Sequence, residues 1–327
     1  AMSADGSTLV GVVSAYPNLN RVWVSRDSGD SWSSINSNPV LNANDGWWSD
    51  AVSSGDGSTL VLANDGFNTG NYLYVSQDGG VTWQKRITDA PRRWTALASS
   101  RDGLKLAAVD RGLSGTAGGR IYLSTDRGVT WTPRGVDRLW VDVACSADGS
   151  KMVAITGTAT GRVYTSNDSG LTWNEQPAAP AADWLAVTAS ADGSRLLAAV
   201  RNGPLYVSTD GGMSWLANDL VGQWAGVASS DDGLKLVAAS KVPAGIYTST
   251  DGGEVWLDEG QSYSWSSAAL SSDGSSIAGA VLNGGIYVRD PLPVAAPLLW
   301  GATYHYRMVA TSIAGVTYGD DQTLTTD

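Results

Sequence analysis

Two short motifs recur along the whole length of this chain, and their recurrence constrains the fold more than any other feature of the sequence. Six segments match Ser-x-Asp-x-Gly-x-x-Trp: Ser25 to Trp32, Ser76 to Trp83, Ser124 to Trp131, Ser166 to Trp173, Ser208 to Trp215 and Ser249 to Trp256. A second motif, Asp-Gly followed by a short apolar run, occurs seven times, at Asp5, Asp56, Asp102, Asp148, Asp192, Asp232 and Asp273. In the last six copies a tryptophan stands eight residues before that Asp, at Trp48, Trp94, Trp140, Trp184, Trp224 and Trp265. A ring residue also precedes each Ser-x-Asp turn: Trp23, Tyr74, Tyr122, Tyr164, Tyr206 and Tyr247, with Tyr287 as a seventh. Self-similarity at such a period means one supersecondary unit that buries its apolar face only by stacking against its neighbours.

Each repeat reads as four strands. In the best-formed copy the inner strand is Trp184 to Ser190, the second Arg195 to Val200, the third Leu205 to Ser208, and the fourth begins at Trp215. Apolar runs bounded by Gly and Asp are strand signals, and a spacing of 41 to 51 residues between the tryptophans that end the first motif is that of propeller blades. Seven Asp-Gly turns predict an all-β chain, a seven-bladed β-propeller of four-stranded antiparallel blades over residues 1–290, with a separate tail over 291–327. The composition fits short strands and tight turns, with 39 Gly, 15 Trp and 12 Tyr but one Phe. At each turn the Asp carboxylate can accept the amides that the turn leaves unpaired. Gly takes up a positive φ without steric cost, and Trp covers the hairpin while its N–H seeks an acceptor. These are scaffold roles.

The Ser-x-Asp-x-Gly-x-x-Trp pattern resembles the Asp-box, or BNR, repeat of sialidases, xyloglucanases, sortilin-type receptors and photosystem II assembly factors, and it covers residues 1 to about 290. That resemblance implies the propeller fold; hydrolases, receptors and assembly factors share it, so it does not select a function. A sialidase would need an Arg-Ile-Pro element, but Arg86-Ile87 is followed by Thr88 and Arg120-Ile121 by Tyr122. Xyloglucanases set two propellers around a cleft, and this chain has length for one. The tail, from Thr303 to Thr311 and from Val316 to Leu324, resembles the last hairpin of a fibronectin type III domain. Part of it is expected to supply a strand that closes the ring, because the last repeat lacks an Asp box and the first lacks most of its inner strand.

The formal charge is −11, but thirteen of the 32 acidic residues sit in the two turn motifs. The 21 basic residues are scattered, which argues against nucleic acid, whose phosphates need a concentrated basic face. No apolar run approaches the roughly 18 residues of a membrane-spanning helix. The sole cysteine, Cys145, falls in a strand and is read as a small buried apolar residue. The sole histidine, His305, lies in the tail, so a Ser-His-Asp hydrolase would need the hairpin folded onto the site, and any metal would be Ca²⁺ or Mg²⁺ held by oxygen ligands. The start at Ala1-Met2 shows no leader segment, consistent with removal of one or with a longer natural chain. A monomer that is secreted or held in the cell envelope is expected.

Both motif turns lie on one face, so the variable loops share the other. Function is expected there and at the channel mouth. The position before each repeat Trp carries Trp47, Arg93, Leu139, Asp183, Gln223 and Ser264. Two residues after each Trp stand Asp50, Ala96, Asp142, Ala186, Gly226 and Ser267; crowding at the axis explains the small ones, and Asp50 and Asp142 break the pattern. A carboxylate in such a place must be hydrogen-bonded, paired or bound to a cation. Candidate catalytic carboxylates are therefore Asp50, Asp142 and Asp183; candidate ligand-binding residues are Trp47, Arg93, Arg138, Gln223, Asp137, Asp110 and Arg201. The leading expectation is a glycan, another polymer or a small-molecule ligand bound on the loop face. Alternatives are a glycoside hydrolase or other hydrolase using the channel carboxylates, and a protein-assembly scaffold.

Overall fold

A computed structural model describes residues 1–13, 21–35, 40–41, 47–65, 72–90, 92–113, 118–260, 263–281 and 285–289, and four strands of the tail between 303 and 325. Blade one contains β1 (Leu9–Val13), β2 (Arg21–Ser25) and β3 (Ser33–Ser34). Blade two contains β4 (Trp48–Ser53), β5 (Leu60–Asn64), β6 (Leu73–Ser76) and β7 (Gln84–Arg86). Blade three contains β8 (Trp94–Ser99), β9 (Leu106–Asp110), β10 (Gly119–Ser124) and β11 (Thr132–Arg138). Blade four contains β12 (Trp140–Cys145), β13 (Met152–Thr156), β14 (Val163–Ser166) and β15 (Asn174–Glu175). Blade five contains β16 (Trp184–Ala189), β17 (Leu196–Val200), β18 (Gly203–Ser208) and β19 (Leu216–Gly222). Blade six contains β20 (Trp224–Ser229), β21 (Leu236–Lys241), β22 (Ala244–Ser249) and β23 (Leu257–Asp258). Blade seven contains β24 (Trp265–Leu270), β25 (Ile277–Val281) and β26 (Ile286–Arg289). The tail adds β27 (Thr303–Tyr306), β28 (Val309–Ser312), β29 (Gly315–Tyr318) and β30 (Gln322–Thr325).

The molecule is thus a seven-bladed propeller of antiparallel sheets with no helix among the described residues. Blades two to six have four strands each. Blade one has three, its inner strand reduced to a bridge between Met2 and Leu9, and blade seven also has three. In the tail β27 pairs with β30, Thr303 opposite Thr325, β28 pairs with β29, Ser312 opposite Gly315, and β28 lies alongside β26.

The aromatic register has a packing reason. In six blades the inner-strand Trp meets the third-strand Tyr of its own blade edge to face: Trp48 on Tyr74 at 5.1 Å, Trp94 on Tyr122 at 5.1 Å, Trp140 on Tyr164 at 5.2 Å, and likewise in blades five to seven. Such pairs favour this geometry because the ring edge is positive and the face negative. The core itself lies between blades: Val61, Ala63, Leu73 and Val75 of blade two pack with Trp94, Leu97, Leu106 and Ala108 of blade three.

Around the axis, at the Asp-Gly end, the blades are tied by a closed belt of backbone hydrogen bonds. Ala4 donates to Gly55, Gly55 to Arg101, Arg101 to Ala147, Ala147 to Ala191, Ala191 to Asp231, Asp231 to Ser272, and Ser272 back to Ala4, all between 2.7 and 3.0 Å. The residue preceding each Asp-Gly turn thus satisfies the amide and carbonyl of its neighbours, and the last link joins the two ends of the propeller. Arg101 also reaches across this end to pair with Asp231, lying so close over Gly55 that a Cβ there would stand 2.7 Å from its Cγ.

The Asp-box turns perform the chemistry expected of them. In blade two, Asp78 accepts the amides of Val81 at 3.1 Å and Thr82 at 2.8 Å, Ser76 donates to Asp78 at 2.7 Å and accepts from Gly80 at 2.8 Å, and the Trp83 indole donates to Gly80 at 3.0 Å. Trp173 is the exception: its buried indole N–H has no hydrogen-bond partner, although its ring meets Trp140 at 6.2 Å as that of Trp215 meets Trp184 at 6.1 Å.

Candidate functional site

The axial positions hold the two carboxylates that the small-residue pattern left exceptional. A β-bulge follows the repeat Trp in all six inner strands from β4 to β24, between Trp48 and Asp50 and between Trp140 and Asp142 among others. The inner strand has no ladder partner on its axial side, so its amides need other acceptors. Asp50 accepts the amide of Ala51 at 2.8 Å and, across the blade boundary, that of Leu97 at 2.7 Å. Asp142 does the same for Val143 at 2.8 Å and for Val187 of blade five at 2.7 Å. Each carboxylate staples two neighbouring inner strands with both of its oxygens.

Enclosure by protein has an electrostatic consequence. Burial pushes the Asp50 carboxyl up to about 6 against the pull of the Leu97 and Ala51 amides. The Asp142 carboxyl is pushed up to about 8, by burial first and by the negative charge of Asp50 besides, against the pull of the Val187 and Val143 amides. Both side chains are half-buried by surface exposure, as expected for groups that line a narrow axial space rather than a sealed core.

At the loop-face mouth the residue before each Trp is held by its backbone: Trp47, Arg93, Leu139, Asp183 and Gln223 accept the amides of Asp65, Arg111, Gly157, Arg201 and Lys241 at 2.7 to 3.1 Å. Arg93 forms a two-pronged pair with Asp65 of the preceding blade, at 2.8 and 3.1 Å. Asp110 is buried; one of its oxygens accepts the amides of Arg93 at 3.0 Å and Gly112 at 2.8 Å, and burial raises its carboxyl. Asp183 pairs with Arg201 at 3.1 Å, and Asp137 with Arg120 at 2.8 Å. Arg138 lies over the Tyr164 ring at 4.5 Å. Trp47 presents an indole that is 47% exposed.

The geometry therefore brings Arg93 and Asp110 together, and Asp183 with Arg201; it gives Asp50 and Asp142 the same staple role two blades apart, in blades two and four. Asp137 pairs with Arg120 and lies near enough to Asp110 for its charge to act on that carboxyl, while Arg138 reaches Tyr164 of blade four. The cation laid over the third-strand Tyr went unnoticed in the sequence. Arg92 lies over Tyr122 at 4.9 Å and Arg138 over Tyr164, each two residues before a repeat Trp, while Tyr263 takes that position in blade seven and stacks on Tyr287 at 5.3 Å. The regular offset was available as a signal, had positions been aligned to the Trp. Among the described residues no group of three or more His, Cys, Asp or Glu gathers as metal ligands, and no helix is long and apolar enough to cross a membrane. The His305 side chain lies outside the described residues.

The chain is a seven-bladed β-propeller that carries six Ser-x-Asp-x-Gly-x-x-Trp segments. The BNR/Asp-box repeat model matches residues 74–85, which run from the third-strand Tyr of blade two past its Asp box. No curated protein matches the chain. Among solved structures it is similar to YCF48 bound to D1 peptide, with a TM-score of 0.63 and 17% identity over 90% of this chain and 92% of that one. It is similar to YCF48 from Cyanidioschyzon merolae, with a TM-score of 0.55 and 13% identity over 86% and 97%. It is also similar to the GH74 enzyme of Niastella koreensis, with a TM-score of 0.54 and 13% identity over 90% of this chain; the chain spans 64% of that enzyme's length. At these identities the likeness is one of fold.

Proposed function

We propose that this propeller is a non-catalytic binding module that holds a glycan across its loop face. The observation that carries the reading is the engagement of its candidate carboxylates: both oxygens of Asp50 and of Asp142 already accept backbone amides, and Asp183 is paired with Arg201. A general acid or nucleophile needs its oxygens turned to substrate. The half-exposed Trp47 beside the mouth offers a flat apolar surface of the kind sugar rings stack on, and Arg93 and Gln223 hold the equivalent positions in blades three and six. A secreted or envelope-held monomer suits that role.

The test is titration calorimetry against a panel of oligosaccharides, with Trp47→Ala alongside; the expected result is one saturable ligand whose affinity falls about tenfold, or 1.4 kcal/mol, in the variant. Turnover of any chromogenic glycoside that disappears in Asp50→Asn or Asp142→Asn would replace this reading with a hydrolase. A protein segment on the same face is the second reading. It is favoured by the YCF48 structure that carries a bound D1 peptide and that this chain resembles along 90% of its length.

A further inference from the structure

Away from the axis, between blades two and three, a groove of about 290 Å³ is lined by Ile87, Asp89, Arg92, Tyr122, Trp131 and Pro133. Ile87, which follows β7, has a φ of 53°. Left-handed backbone is strained for a β-branched side chain. Ser28, Arg127 and Ser169 share that conformation because each stands just before the Gly of an Asp box, where the turn demands it, and Asn202 sits in the short β17–β18 loop; Ile87 has no such turn to explain it. Its strain turns an apolar side chain against the same inter-blade cluster that Tyr122 and Trp131 pack on.

The polar end of the groove is built as firmly. The Arg92 side chain is only 12% exposed, and it donates to Tyr122 at 2.8 Å, to the carbonyl of Ala90 at 2.9 Å, and to both oxygens of Asp89 at 2.8 and 3.0 Å. Asp89 itself is 70% exposed, so its carboxylate is fixed in direction while lone pairs remain open to solvent. Trp131 is held by its own indole bond to Gly128 at 3.0 Å, and Arg86 donates to the same carbonyl at 3.1 Å, pinning the end of β7 to the Asp box of blade three.

We propose that this groove is a subsite for one ring of a neutral polysaccharide, separate from the loop-face mouth. The occupant follows from the lining. A ring with an apolar C–H face and equatorial hydroxyls can lie against Tyr122, Trp131 and Ile87 and donate hydroxyls to a rigid carboxylate acceptor. An acidic ligand would meet the open oxygens of Asp89, and a cationic one would meet a carboxylate already neutralised by Arg92. The inference does not depend on the mouth binding anything.

Cellohexaose, xylohexaose and mannohexaose titrated into the wild-type protein test it, with binding read by calorimetry and by the Trp131 indole N–H resonance assigned through Trp131→Phe. One of the three is expected to bind. Its affinity at the site that moves the Trp131 resonance should fall about tenfold or more in Asp89→Ala and in Ile87→Gly. The melting temperature should hold in Asp89→Ala, and Ile87→Gly should keep the fold, relief of the left-handed strain offsetting part of the packing lost against the inter-blade cluster. Binding that drops only in Trp47→Ala would place the sugar at the mouth and overturn the groove site, leaving the loop-face reading intact. Absence of binding by all three, or affinity retained in both groove variants, overturns it as well.

Discussion

At the residue scale, the axial carboxylates join stability to pH. An unfolded Asp titrates near 3.9, whereas Asp142 is raised to about 8 in the fold, so between those values the native state holds a proton that the unfolded chain has released. Stability from this group is then present at low pH and declines as pH rises through the window. Urea unfolding should show a less stable protein at pH 9 than at pH 5. Asp142→Asn should flatten that dependence while costing about 1–3 kcal/mol at pH 5, because an amide side chain accepts through one oxygen and leaves the N–H of Val143 or Val187 unmet. A retained slope in the variant would move the effect to another group. Cys145, on the same inner strand, is pushed up to about 12 by burial, with the charge of Asp148 adding to it, so a thiol reagent at pH 8 should leave it unmodified in the native protein and label it in urea.

At the element scale, the Asp-box hairpin stands on a few short bonds that repeat from blade to blade. In blade four, Ser166 donates to Asp168 at 2.7 Å and accepts the Gly170 amide at 2.8 Å, while Asp168 accepts the Thr172 amide at 2.9 Å. Ser166→Ala strands a buried amide, and a cost of about 1–3 kcal/mol is expected in the same unfolding measurement. The corresponding change at the exposed Thr130 of blade three should cost less, since water replaces the lost bond. The strands that these turns join were legible in the sequence. Blade five begins at Trp184 as read, and its fourth strand starts at Leu216, one residue after the expected Trp215. Such boundaries are local, set by Gly, Asp and Trp at fixed offsets. The roles of Asp50 and Asp142 were not legible, because their partners Leu97 and Val187 lie 47 and 45 residues away and meet them only when neighbouring blades dock. The strained Ile87 was equally hidden, since nothing in Arg-Ile-Thr announces a left-handed turn.

At the scale of the whole molecule, closure decides stability, because a ring of blades opened at one seam exposes two unpaired edges. The seam lies between blade seven and blade one. On the axial side the Ser272 to Ala4 bond closes the belt at 3.0 Å, and the Arg101–Asp231 pair reaches from blade three to blade six across the same end. On the outer side β26 ends blade seven as its third strand, with β28 of the tail beside it. We propose that the tail covers the outer edge of blade seven, standing where other blades carry a fourth strand. Removing residues 291–327 should then lower the melting temperature by several degrees and, by baring the β26 edge, cause self-association visible in light scattering. Arg101→Ala should shift melting far less, since its ion pair is half-exposed and such pairs contribute about 0–1 kcal/mol, whereas the belt it decorates is made of backbone. A truncated chain that melts with the full-length protein and stays monomeric would mean that blade seven is complete with three strands, and that the seam is held by the belt and the inter-blade core alone.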